Sequence, residues 1–331
     1  MGGDFDAAEV MQGGISDRAE AWDFIRAFVA GWYTPLTDGD GIGEEELKRI
    51  EGQLGLALPA ALREAYQLFG GRPQLFDHQD PMLPPSELFV HEDLGGVLCF
   101  RSENQGCAFW GVRLYDLGEA DPPVVVQSRD GWQPFMGRVS LACVELILSE
   151  CMFSDGPLYN ACELPAGVES QVPQLFQRIV LPDYPMWTGS DESPVRWFSA
   201  PGLLLRQDGL TAECWLHVRG KTLAHLSAAC IAVPGRWAQW QGTEPNAVDE
   251  CPGPCTRRPA APDHGHGDRA RDPGRGRTRP TSAPETARSS RCHQVIWSSD
   301  LVVTSNVSNV AGARSWIPWK GCPLRRGSRS R

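Results

Sequence analysis

Two short amphipathic helices joined by a Leu-Pro step are the clearest pattern in the chain. In the segment 47–54, apolar side chains recur at helical spacing, and Gly55 follows where a left-handed backbone is needed. Pro59 suits the first turn of a second helix, and Gly70 ends it. The pattern predicts a helical hairpin whose buried positions are Leu47, Ile50, Leu54, Leu62, Ala65, Tyr66 and Phe69.

A longer amphipathic helix is predicted before this pair. Ser16 or Asp17 can cap it, and apolar residues then recur at helical spacing as far as Trp32. Residues 1–15 contain neither a basic segment nor an apolar stretch of the kind found in secretory signals. We therefore expect a disordered N-terminus at 1–15 and a cytoplasmic protein.

After the hairpin the pattern changes from helical to strand-like. Prolines at positions 73, 81, 84 and 85 predict an extended surface loop. Short runs of β-branched and aromatic residues then predict an antiparallel meander, with strands at 97–103, 107–114, 124–128 and 132–136. A helix at 138–153 has an apolar face that must pack on this sheet. Helices, then a sheet, then a helix indicate an α+β fold with an antiparallel or mixed sheet.

The pattern divides the chain into four parts. Residues 1–15 form the disordered N-terminus, and 16–160 form the main α+β domain. Residues 161–242 are predicted to form a smaller α/β extension, with helices at 172–180 and 221–233 and strands at 201–206 and 213–219. Residues 243–331 lack helical and strand periodicity, and we expect a disordered tail.

Charge separates the tail from the rest of the chain. Residues 1–250 contain 16 Lys and Arg against 36 Asp and Glu, whereas residues 251–331 contain 15 against 5. The tail holds half of the 28 arginines but one lysine, together with many prolines and glycines. Out-of-frame translation of GC-rich DNA yields this composition, so our hypothesis is that the tail is a frameshifted or read-through product.

Two functional interpretations of the tail compete with this hypothesis. Cys251, Cys255, His264 and His266 have side chains that bind zinc, but their spacing matches no common zinc finger. The arginines could neutralise phosphates, although a solvated segment would bind nucleic acid without specificity. We therefore predict no metal and no specific nucleic-acid partner.

Motifs for catalysis are missing from the sequence. It contains no nucleophile elbow, no zinc-protease motif, no phosphate-binding P-loop and no paired CxxC. His78 and His91 lie near aspartates and could form a metal site, but solvated loop residues are the favoured interpretation. Cys107 and Cys143 fall on apolar faces and are interpreted as buried thiols. We expect a protein that is not an enzyme, with no cofactor, and no apolar run is long enough to span a membrane.

The order and amino-acid sequences of these segments resemble those of actinobacterial members of the SMI1/KNR4 (SUKH) superfamily. The resemblance covers about residues 20–242 and is carried by the segments 47–71, 77–90, 97–114, 121–135, 140–150, 196–206 and 214–220. It implies a SUKH-like fold and a bacterial immunity protein that binds and neutralises a toxin, among which nucleases and deaminases are common. Fungal relatives imply an alternative, a regulatory scaffold or adaptor in cell-wall or signalling control.

An acidic surface is consistent with such a binding protein, because it attracts a basic partner and speeds its association. Loops on a rigid sheet often carry recognition. We therefore predict that a protein partner, for example a basic toxin domain, contacts the proline-rich loop, the turn after the first strand and exposed aromatic residues. The predicted contact residues are Asp77, Asp80, Glu103, Asn104, Gln105 and Trp132. Trp110 is predicted to lie in the core.

Overall fold

The computed structural model describes residues 4–128, 131–187, 194–209 and 214–238. Contacts group residues 1–251 into one unit and residues 252–331 into another, and the second unit lies outside the described residues. The predictions for the tail also lie outside them. The described helices are α1 (Ala7–Val10), α2 (Arg18–Trp32), α3 (Glu44–Leu54), α4 (Ala60–Phe69), α5 (Val139–Phe153), α6 (Val172–Leu175) and α7 (Leu223–Ala232).

The strands form two antiparallel sheets, which confirms the α+β fold class. The first sheet is a meander in chain order, made of β1 (Phe89–His91), β2 (Val97–Ser102), β3 (Phe109–Arg113), β4 (Val124–Ser128) and β5 (Gly131–Met136). The second contains β6 (Tyr159–Glu163), β7 (Gln177–Arg178), β8 (Tyr184–Pro185), β9 (Pro194–Ala200), β10 (Leu203–Asp208), β11 (Trp215–Gly220) and β12 (Arg236–Trp237). Its order is β12-β6-β11-β10-β9-β7, with β8 also paired to β9.

Helix α5 is the centre of the described fold. Fourteen of its residues, from Val139 to Met152, are buried. It contacts α2 and α4, strand β5 of the first sheet, and strands β10 and β11 of the second. A helix with apolar residues on all sides is stable only when it is covered on all sides. The helix was predicted to pack through one face, but it is buried between the two sheets.

The helical hairpin forms as the pattern predicts. Gly55 ends α3 with a φ of 68°, in the left-handed region, and Pro59 is the residue that precedes the first turn of α4. Gly70 follows α4 directly, and a Cβ there would lie 2.6 Å from the carbonyl oxygen of Tyr66. Glycine therefore permits the close turn that leads into the proline-rich loop.

The prediction of disorder over residues 1–15 is wrong for residues 4–15. Asp6 caps α1 by accepting a hydrogen bond of 3.0 Å from the amide of Ala8. The same amide lies 2.8 Å from the hydroxyl oxygen of Ser199 in β9. Ala7 and Met11 are each only 2% exposed. This short segment is ordered by contacts with a strand 191 residues later in the chain, which local composition does not reveal.

The smaller extension has a core of its own and also shares the main one. A separate cluster contains Cys162, Leu164, Phe198, Leu205, Leu216, Val218 and Leu226, among others. Tyr184, Trp197 and Leu204 belong instead to the main core around α5. The predicted boundary between residues 160 and 161 falls inside β6. The helix predicted at 172–180 is instead the single turn α6 followed by β7.

Candidate functional site

The proline-rich loop runs beside strand β2 and brings two predicted contact regions together. The amide of Leu83 donates to the carbonyl oxygen of Phe100 at 2.8 Å, and the amide of Ser102 donates to that of Pro81 at 3.1 Å. Since Ser102 is followed directly by the turn at 103–106, the loop at 77–80 lies next to that turn. We call residues 77–80 and 103–106 the loop–turn site.

The side chain of Glu150 in α5 binds the backbone of the proline-rich loop. Its carboxylate accepts three backbone hydrogen bonds, from the amides of His78 at 2.6 Å, Gln79 at 2.9 Å and Asp80 at 2.8 Å. Glu150 itself is completely buried. Hydrogen bonds to an ionised acceptor are stronger than those between neutral groups. The carboxylate therefore fixes the loop to the central helix.

The side chain of Glu103 likewise accepts backbone hydrogen bonds, in the turn at 103–106. It is 6% exposed, and its Oε2 atom accepts hydrogen bonds from the amides of Gln105 at 2.8 Å and Cys107 at 3.1 Å. Gly106 completes the turn with a φ of 71°, a conformation that glycine adopts at little cost. Glu103 was predicted to contact a partner, but its side chain is buried and stabilises the turn.

A β-bulge turns Arg101 towards the core. Cys99 pairs with Gly111 and Arg101 pairs with Trp110, so one extra residue lies between them in β2. A bulge of this kind redirects a side chain. The Arg101 guanidinium stacks over the Trp110 ring at 4.6 Å and donates to Glu145 of α5 at 2.6 Å. Trp110 is 3% exposed, which confirms that it lies in the core.

Glu145 connects the loop–turn site to the second sheet. Its second oxygen accepts a hydrogen bond of 2.9 Å from the Tyr184 hydroxyl, and that hydroxyl accepts one of 2.9 Å from the Trp197 indole. On the other side, the Nε atom of Arg101 donates to the carbonyl oxygen of Asp80 at 2.9 Å. A buried polar chain thus runs from Trp197 in β9 to the proline-rich loop.

Asp80 lies at the loop end of this polar chain and has a buried carboxyl group. It is 9% exposed, and its Oδ2 atom lies 4.0 Å from Arg101. Its Oδ1 atom is buried without a hydrogen-bond partner among the described residues. Burial raises the pKa of this carboxyl to about 6, which the Arg101 guanidinium opposes and the Glu150 carboxylate reinforces. Asp80 is therefore a carboxylate that the fold leaves only partly neutralised.

The remaining predicted contact residues divide into two groups. Asp77, Asn104 and Gln105 are exposed at the loop–turn site, as a contact surface requires. Trp132 was predicted to be an exposed aromatic, and this is wrong, because it is 5% exposed. It packs with Val97, Cys99 and Val125 in a small cluster separate from the main core.

The two cysteines and two histidines singled out in the sequence lie in different environments. Cys143 is buried, and burial raises the pKa of its thiol. Cys107 was predicted to be buried but is exposed, since β3 begins only at Phe109. His78 contacts the carbonyl oxygen of Gln74 at 3.0 Å, whereas His91 lies 3.5 Å from Asp93. No three such side chains in the described ranges could hold a metal ion.

Sequence patterns did not indicate a second polar cluster between α5 and the second sheet. His217 lies 2.7 Å from the Tyr159 hydroxyl and 3.4 Å from Asp208, which accepts a hydrogen bond of 2.7 Å from Arg206. Burial raises the pKa of Asp208, but Arg206 and His217 outweigh it and lower that pKa to about 2. Burial raises the pKa of Tyr159 to about 12, so its hydroxyl remains protonated. The alternation of polar residues with Leu205, Leu216 and Val218 is the signal that could have located this cluster.

Two shallow depressions lie elsewhere on the described surface. One of about 260 Å³ is lined by Trp22 and Gln67, among others, and one of about 410 Å³ by Asp17 and Arg138. Neither includes a residue of the loop–turn site.

Comparison of the chain with models of protein families, with curated proteins and with solved structures found no match. Among the described helices, none is long and apolar enough to cross a membrane.

Proposed function

We propose that this chain is a cytoplasmic immunity-type protein of the SUKH superfamily that neutralises a toxin by stoichiometric binding, without catalysis. The loop–turn site is the proposed contact surface. The observation that carries the proposal is an exposed polar edge fixed to the core, with Asp77, Asn104 and Gln105 exposed above the buried carboxylates Asp80, Glu103 and Glu150.

Rigidity and charge both support this assignment. Three backbone hydrogen bonds to Glu150 fix the loop, and two to Glu103 fix the turn. A surface that is already ordered loses little conformational entropy on binding. The excess of acidic over basic residues in 1–250 attracts a basic surface and repels nucleic acid. A toxin that acts on nucleic acid presents such a basic surface, and covering it blocks the substrate.

Co-expression tests this proposal. The full chain is expressed with the C-terminal domain of a modular toxin encoded next to its gene, and growth and complex formation are measured. We expect the wild-type chain to restore growth and to elute with the toxin domain as one complex. Continued toxicity with no complex at low salt would overturn the proposal.

A pair of matched variants locates the surface. Asp77→Lys with Gln105→Lys changes the charge of the loop–turn site, and Gln53→Lys with Glu119→Lys makes the same change at exposed positions elsewhere. We expect the first pair to weaken the complex at least about tenfold, since like charges across an interface are strongly unfavourable. The second pair should bind as the wild type does. Equal losses in both pairs would show a general charge effect rather than a site.

A further inference from the structure

Helix α7 has one face buried against the second sheet and an opposite face exposed to solvent. Leu226, Ala229 and Cys230 are buried, and the helix packs on strands β10 and β11. On the opposite side, Leu223 is 59% exposed and Ile231 is 74% exposed. Single exposed apolar residues are normal on a protein surface, but several on one face form a patch, and patches mark interaction sites.

The exposed face of α7 carries no charged side chain. Its residues are Leu223, Ala224, Ser227, Ala228, Ile231 and Ala232. Residues 1–250 as a whole hold 16 Lys and Arg against 36 Asp and Glu. Carboxylates attract a basic partner, and this face has none, whereas two copies of an acidic chain repel each other least where neither carries charge. The face therefore suits a second copy of the chain better than a basic protein.

The spacing of the exposed residues allows the face to pack on itself. Residues at intervals of four, beginning at Leu223 and at Ala224, form two parallel ridges on the helix surface. Such ridges pack into the groove between the same ridges of another helix, and the two helices then cross at about 50°. Ala224, Ser227 and Ala228 are small, so the two backbones can approach at the crossing point. Leu223 and Ile231 fill the space where the helices diverge.

We propose that α7 is the contact surface of a homodimer, in which its exposed face packs on the same face of a second copy. Twofold contacts are the commonest in homo-oligomers. Leu223 and Ile231 are each four residues from Ser227, so antiparallel pairing about Ser227 places Leu223 of each copy beside Ile231 of the other. The opposite partial charges at the helix ends then lie next to each other. The homodimer does not rest on the proposed function, since α7 packs on the second sheet and the loop–turn site lies beside β2.

The dimer should be weak and should strengthen with salt. The ten residues of α7 extend over about 15 Å, so this helix covers only part of the roughly 800 Å² that each partner of a standard interface buries. We expect a Kd of about 10–100 µM. Salt screens the repulsion between two acidic copies, so association should become tighter from about 50 to about 500 mM NaCl. An interface held by opposite charges would respond in the other direction.

Sedimentation velocity of the full chain tests the proposal. The chain is measured from about 5 to about 300 µM, a range that brackets the expected Kd, with a reducing agent that prevents disulfides through exposed Cys107. We expect a shift from monomer to dimer. Ile231→Glu should weaken association at least about tenfold, because it places a carboxylate in an apolar contact. Tyr115→Glu adds the same charge outside α7, at a side chain that is also 74% exposed, and should associate as the wild type does.

Two complementary variants test the antiparallel arrangement. In a mixture of Ile231→Glu with Leu223→Lys, antiparallel pairing restores one Leu–Ile contact and creates one Glu–Lys pair. The mixture should therefore associate at least about tenfold more tightly than either variant alone. Both side chains are exposed, so each variant should melt within about 2 °C of the wild type.

Four results would overturn the homodimer. These are a chain that stays monomeric over the whole concentration range, Ile231→Glu that associates like the wild type, association that weakens with salt, and a mixture no tighter than its components. Loss of association on truncation after Gly242 would also overturn it, because the contact would then depend on the basic segment. Neutralisation of the toxin is measured in the separate co-expression assay, so a failure there contradicts the proposed function and not the homodimer.

Discussion

At the residue scale, Asp80 has a carboxyl whose ionisation opposes folding. Its pKa rises from 3.8 to about 6 because burial penalises the charged form. A raised acid pKa means that the folded state binds the proton more tightly, so stability is lost as pH rises from about 4 to about 6. A shift of this size corresponds to about 3 kcal/mol.

Replacement of Asp80 by asparagine should therefore increase stability at neutral pH. We expect Asp80→Asn to unfold at a higher urea concentration than the wild type at pH 7.5, by an amount equivalent to at most about 3 kcal/mol. The difference should disappear below pH 4, where the wild-type carboxyl is protonated. A variant less stable than the wild type at pH 7.5, or a difference independent of pH, would contradict this account.

Replacement of Glu150 should lower stability because its carboxylate accepts three backbone hydrogen bonds. Glu150→Gln replaces one acceptor oxygen by an NH₂ group that faces backbone donors of the 78–80 loop. We expect a loss of about 2 kcal/mol in the free energy of unfolding. Amide hydrogen exchange at residues 78–80 should become faster. The same substitution at exposed Glu119 should change neither quantity, and slow exchange retained at 78–80 would show that Glu150 does not hold the loop.

The residue-scale predictions from sequence named residues of the loop–turn site but not the direction of their side chains. Asp80 and Glu103 were expected to face a partner, whereas their side chains are mostly covered and one of them caps a turn. Trp132 was predicted to be an exposed aromatic residue at a recognition surface. Its burial depends on residues from β2 and β4, which lie next to it only after the sheet forms. The local sequence around Trp132 does not indicate these neighbours, which are distant in the chain.

At the element scale, the first sheet depends on one glycine in β3. A Cβ atom on Gly111 would lie 2.5 Å from the carbonyl oxygen of Leu98 and 2.6 Å from a methyl group of Val97. Across this strand, the ring centroids of His91 and Trp132 are only 5.5 Å apart, although they belong to the two outer strands. The missing side chain allows the strands and the aromatic residues to approach closely.

Substitution of this glycine should be costly. We expect Gly111→Ala to lower the free energy of unfolding by about 1–3 kcal/mol, the usual cost of overpacking. Gly52→Ala is a matched control in α3, where an added Cβ meets nothing within 4 Å. It should stabilise the chain by about 0.5–1 kcal/mol through its helix propensity. Urea unfolding measures both, and equal effects of the two substitutions would argue against a steric role for Gly111.

Periodicity predicted the longer elements well and the short strands poorly. Helices α2, α3, α4, α5 and α7 and the meander appear where apolar spacing places them. Strands β7 and β8 have two residues each, and their strand conformation depends on pairing with β9. The segment 172–180 has helical spacing, yet its second half pairs as a strand. Tertiary contacts outweigh propensity in such short segments.

At the scale of the whole described unit, α5 joins the two sheets through both apolar and polar contacts. Its apolar residues belong to the main core, while Glu145 accepts hydrogen bonds from Arg101 in the first sheet and Tyr184 in the second. The sequence predicted that α5 packs on the first sheet through one apolar face, and a second covering sheet was not inferred. Without that sheet, α5 would lose its contacts with β10 and β11. The extension therefore completes the core that also supports the loop–turn site.

Truncation tests where this core ends along the chain. The buried residues of the second cluster end at Val233, and β12 adds a final pair between Trp237 and Cys162. Removal of the basic segment after Gly242 should therefore change the melting temperature by less than about 2 °C, which corresponds to under about 1 kcal/mol for a unit of this size. Removal after Gly235 also deletes β12 and exposes the surface on which Trp237 packs, so we expect a decrease of several degrees. A large decrease after the first truncation would show that the arginine-rich segment stabilises the fold, and would contradict its interpretation as a frameshifted product.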